Sequence, residues 1–172
     1  GDHTALCAEY LKRAEGEMPH ADYISARLLV HPWYRSQVRS ATGLDARVDG
    51  ETLYLLEFVN AAMASGRPVF FSDAFAPEVL SQLRSYPRGL AIRVLPPGAN
   101  VPSPRDVAHE NSVLYEDFGF SPNRETDAKL PWQTLIQARY ASTWTTIAGA
   151  LEATGDIEGA KHARSMAKVY DP

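Results

Sequence analysis

The feature that most constrains this chain is the dipeptide Gly155-Asp156 between two long helical patterns. Apolar residues recur at helical spacing from Trp132 to Ala153 and again from Ile157 to Tyr170. A turn this short leaves the second helix no course except back along the first, so the C-terminal part is predicted to be an antiparallel helical hairpin. The rest of the chain must supply whatever that hairpin packs against.

The first hundred residues alternate between helical and strand-like stretches. Thr4 to Gly16 reads as a helix, with Ala5, Leu6, Ala8, Leu11 and Ala14 on one side. Asp22 to Val30 reads as a strand. Pro32 can open a helix because its missing amide hydrogen would be orphaned there anyway, and Gly43 can end it. Trp33, Tyr34, Val38 and Ala41 line one side of that helix. Glu51 to Ser65 is amphipathic, with Leu53, Leu55, Leu56, Val59, Ala62 and Met63 forming the apolar face. Residues 68–72 and 90–95 are hydrophobic runs, the pattern of strands covered on both faces. A short helix begins at Pro77 and runs through Leu80 and Leu83.

Strands separated by helices favour parallel pairing through crossovers. The expected fold class is therefore α/β: a small, mainly parallel sheet flanked by helices, with the helical hairpin at the C-terminus. Leu28, Val69, Phe70, Phe71, Ile92 and Val94 are its expected core. The expected organisation is an α/β domain over 1–97, an irregular proline-punctuated connection over 98–131, and a helical hairpin over 132–172 packed on the α/β domain. The start just before a capped helix implies a further strand upstream.

Composition excludes several classes. Of 172 residues, 45% are apolar and 22% charged, which argues against general disorder. Net charge is 17 − 21 = −4, which disfavours a nucleic-acid partner. The single cysteine, Cys7, excludes an internal disulfide and a cysteine-rich zinc site, and reads as a structural thiol. No run approaches the roughly 18 apolar residues of a membrane span. Phosphate-loop, dinucleotide, nucleophile-elbow and zinc-protease signatures are absent, so no cofactor, metal or catalytic residue is assigned.

Two resemblances add to this reading. Ala141 to Pro172 resembles most of a tetratricopeptide repeat, through Trp144, Ile147, Ala148, Gly155-Asp156, Ala160, Ala167 and Pro172. Leu151 and Arg164 stand where that family usually has aromatics. Over residues 1 to 97 an ordered series appears: Gly1-Asp2, Glu9-Tyr10-Leu11, Glu15-Gly16, Asp22, Leu28-Leu29, Pro32-Trp33-Tyr34, Gly66-Arg67-Pro68-Val69-Phe70-Phe71 and Gly89-Leu90. This series resembles the soluble C-terminal region of bacterial polytopic glycosyltransferase-like membrane proteins related to protein-O-mannosyltransferases. His20-Ala21-Asp22 replaces that family's usual Arg-Pro-Asp lead. The resemblance implies an extracytoplasmic domain, attached to the membrane through an upstream segment, whose partner is a protein or glycan acceptor. In such proteins the catalytic carboxylate sits in loops between membrane helices, so the resemblance carries no catalytic role to this chain.

Six residues are candidate ligand contacts. Asp2 and His3 lie at an expected strand-to-helix turn, and Asp73 follows the 68–72 strand at the same rim, where ligands of parallel α/β sheets gather. Asp2 and Asp73 also read as helix caps. Trp33 and Tyr34 can stack on a sugar ring or anchor their helix to the core. Arg67 can bind an anion as a planar fork or pair with an acidic neighbour. Asp106, His109 and Glu110 are close enough for a metal but read more simply as a solvated turn. Three functions follow: the accessory domain, an interaction module built on the hairpin, and a small soluble enzyme using the Asp2, His3 and Asp73 rim.

Overall fold

A computed structural model describes residues 12, 14–16, 20–46, 51–72, 77–117 and 131–170. The expected helix over 4–16 lies almost wholly outside them. Two compact units emerge: residues 1–84 with 95–97, and residues 85–94 with 98–172. The break therefore differs from the one expected at 97, because residues 85–94 belong with the helical C-terminal part.

In the first unit, Ala26–Val30 forms a 3-10 helix, α1 spans Pro32–Thr42, α2 spans Glu51–Ala64, β1 spans Val69–Phe71 and α3 spans Pro77–Leu80. The strand expected over 22–30 is corrected. The Leu28 amide donates to the Ser25 carbonyl at 3.1 Å and the His31 amide to the Leu28 carbonyl at 3.0 Å, so local turns replace strand pairing. Leu29, not Leu28, is buried, and Leu28 is 37% exposed. Helix α2 packs on this 3-10 turn, on α3 and on β1. Its buried stripe is Tyr54, Leu55, Phe58, Val59, Ala62 and Met63, so the apolar face is rotated from the expected one and Leu53 is exposed.

The second unit holds the remaining elements: β2 (Arg84–Arg88, whose first residue groups with the first unit), β3 (Ala91–Leu95), α4 (Pro104–Asp117), α5 (Pro131–Ala153) and α6 (Ile157–Tyr170). Strands β2 and β3 are joined by Gly89-Leu90 alone. A two-residue loop closes an antiparallel hairpin and cannot hold a crossover. Gly89 has φ +61°, the left-handed conformation such a loop requires. The three strands form a small antiparallel sheet in the order β1-β3-β2, which corrects the parallel sheet expected from the helix-strand alternation. The alternation missed β2, whose Arg-Ser-Tyr-Pro-Arg sequence has little strand character. Pro87 is tolerated because β2 is an edge.

The antiparallel arrangement also explains the corrected core. Successive side chains of a strand point to opposite faces. Val69 and Phe71 are half-buried, whereas Phe70 between them is 43% exposed. Ile92 is half-buried and Val94 is buried.

Residues 98–131 were expected to be irregular, yet α4 occupies their middle. Ser103 caps it reciprocally with Asp106: the Asp106 amide donates to Ser103 Oγ at 3.2 Å, and Ser103 Oγ donates to Asp106 Oδ2 at 2.7 Å. Pro104 takes the first helical position, where it costs nothing. Val107, Asn111 and Tyr115 are the buried face, one turn apart.

Asn111 is wholly buried. Its Nδ2 donates to the Pro87 carbonyl at 3.0 Å and to the Val107 carbonyl at 2.8 Å. Its Oδ1 accepts from the Gly89 amide at 2.7 Å. The Gly89 carbonyl in turn accepts from Tyr115 Oη at 3.2 Å and Thr143 Oγ1 at 3.1 Å. Arg88 adds an ion pair to Glu110 at 2.5 Å. The turn of the strand hairpin is thereby tied to α4 and α5.

Helices α5 and α6 form the expected antiparallel hairpin. Gly155 (φ +81°) follows α5, with the Asp156 amide on the Leu151 carbonyl at 2.9 Å and the Gly155 amide on the Glu152 carbonyl at 3.0 Å. This is the double closure that a left-handed residue permits. Trp144, Ile147, Ala148 and Leu151 of α5, and Ala160 and Ala163 of α6, are buried. The small alanines on the buried side of α6 allow close approach at the helix crossing.

Replacing Ala160 with Leu should overpack that crossing and destabilise the chain by about 1–3 kcal/mol, read by chemical denaturation. Asn111→Leu leaves the Gly89 amide and the Pro87 carbonyl buried without partners, so a loss of about 3 kcal/mol is expected. Phe70→Ala, at an exposed position, should cost less than about 1 kcal/mol. A larger loss for Phe70→Ala than for Asn111→Leu would contradict this assignment of the core.

Candidate functional site

The site is built where the 3-10 turn meets α1. His31 is the N-cap position of α1 and Pro32 its first residue. Trp33 and Tyr34 follow on the first turn. Tyr34 Oη accepts from the Ser25 amide at 2.9 Å, which pins Tyr34 to the start of the 3-10 turn. The indole of Trp33 meets the Tyr34 ring edge-on at a centroid distance of 5.5 Å. On Trp33 the His31 imidazole stacks, at 6.0 Å and 16° between planes. Trp33 is nevertheless 59% exposed. Tyr34 is the anchored member of the pair and Trp33 the exposed one.

His31 is the contributor that sequence reasoning passed over. Its signal was present: in His-Pro-Trp, proline fixes the backbone between the two rings and brings the first beside the third.

Helix α1 carries two arginines, of which Arg35 is half-buried and Arg39 is exposed. Arg35 donates from Nε to the Leu29 carbonyl and lies 4.1 Å from the centre of the Tyr54 ring. Arg39 pairs with Asp45 at 3.5 Å. The residues of α1 that remain exposed beyond Trp33 include Ser36, Gln37, Arg39 and Ser40.

Arg67 stands apart from this platform. Its Nη2 donates to the Thr42 carbonyl at the far end of α1, at 2.8 Å, and its Nη1 lies 3.6 Å from Asp22. Asp22 also accepts from Lys12 at 3.1 Å. Nine residues of helix separate Trp33 from Thr42, about 13 Å along the axis. Arg67 is thus the clasp of a helix end, the acidic-neighbour alternative of the two. Asp2, His3 and Asp73 lie outside the described residues.

Other polar groups serve the scaffold. Asp106 accepts from the Ser103 hydroxyl that caps α4, Glu110 holds Arg88, and His109 is exposed. Among the described residues no group of three His, Cys, Asp or Glu side chains is placed to hold a metal ion. Asp156 accepts from the Gly159 amide at 3.0 Å and pairs with Arg105 at 2.5 Å. The Arg105 hydrogen bond, with the Gly159 amide behind it, holds the Asp156 carboxyl below its ordinary range. Tyr115 packs against Tyr140 at 4.7 Å, and against Trp144 and Tyr170 at 5.7 Å. Burial pushes the Tyr115 phenol up to about 12, with the Thr143 hydrogen bond acting in the opposite sense.

These shifts have opposite consequences at the two ends of the pH scale. The Asp156 contribution is complete above the ordinary carboxylate value and disappears as pH falls through the lower folded value. Asp156→Asn should therefore flatten the acid side of the stability profile, measured as thermal midpoint against pH. The raised Tyr115 phenol contributes stability below its ordinary value of 10.0, and this is lost as pH rises through about 12. Tyr115→Phe should remove that alkaline loss. Comparison of the chain with family profiles, with curated proteins and with solved structures returned no match.

Proposed function

We propose that this chain is a non-catalytic, extracytoplasmic accessory domain of a membrane glycosyltransferase-like protein, and that it contacts the acceptor. The ordered residue series over 1–97 supplies the class of parent. The single observation that carries the contact role is Trp33, held on two sides by aromatic rings and still presenting its face to solvent. A ring that is both immobilised and exposed suits recognition, since little side-chain entropy is left to lose on binding. Among the described residues, Arg67, Arg88, Glu110, Arg105 and Asp156 each make structural contacts. Among the described residues no helix is long and apolar enough to cross a membrane.

A second reading, a protein-interaction module of tetratricopeptide type, is favoured by one observation. Trp144, Ile147, Ala148 and Ala160, which carry that resemblance, are all buried in the α5–α6 hairpin. Further repeats encoded after Pro172 would strengthen it.

The test has two parts. Coding sequence upstream of Gly1 is expected to specify many membrane helices, and a start codon immediately before Asp2 would sink the proposal. The isolated chain, incubated with lipid-linked and nucleotide sugars, is expected to give no turnover. Turnover abolished by Asp2→Ala or Asp73→Ala would replace the accessory reading with a soluble enzyme acting at that rim.

A further inference from the structure

We draw no further inference here: the strongest candidate, the exposed apolar surface of Leu28, Val30 and Trp33 where the 3-10 turn meets α1, carries nothing because nothing in the structure shows what covers it.

Discussion

The helical unit depends on one buried side-chain amide. Asn111 has two donors and one acceptor to satisfy, and the strand turn meets it with the Pro87 carbonyl and the Gly89 amide while its own helix offers the Val107 carbonyl. A buried amide without such partners costs about 2–7 kcal/mol, so the turn and α4 can assemble here in only one register. Once Gly89 is placed, its carbonyl collects Tyr115 and Thr143, and the aromatic group of Tyr115, Tyr140, Trp144 and Tyr170 closes around that point. A polar constraint sets the geometry, and apolar burial supplies most of the energy.

The first unit applies the same economy of partners to its surface. Three of its arginines make specific contacts, although Arg39 and Arg67 stay partly exposed. Arg35 covers Tyr54, Arg39 holds Asp45, and Arg67 closes the end of α1 onto Asp22. What α1 leaves to solvent includes Trp33, Ser36, Gln37, Arg39 and Ser40. The platform exists because Pro32 starts the helix at a fixed angle and Tyr34 is tied back to Ser25. Its chemistry belongs to residues adjacent in sequence, whereas its availability depends on a hydrogen bond across the 3-10 turn.

Helices were legible wherever a periodic apolar face ended in a strong stop. The runs ending at Gly43, Gly66 and Gly155 appear where their spacing places them. Strands were less legible. Asp22 to Val30 has the composition of a strand, yet satisfies its backbone locally. Arg84 to Arg88 has almost none of that composition, yet pairs because Gly89 folds it back on β3. Helix α4 was obscured by its flanking prolines, although Ser103 and Asp106 at cap spacing carried the signal. Of the site, Trp33 and Tyr34 were visible as types, but which of them would be exposed was not.

By itself the sequence determined the helical hairpin, the positions of several helix ends, and the burial of Trp144 and Ala160 within that hairpin. These follow from interactions between residues a few positions apart, whose spacing is written in the chain. Tertiary structure alone decided that the sheet is antiparallel, that Phe70 and Leu28 face solvent, that Arg67 is a clasp, and that Trp33 is a platform. Each of those depends on which distant segment arrives at the other side of a residue. Local spacing does not encode that choice, because it is made by the competition of all buried groups for partners.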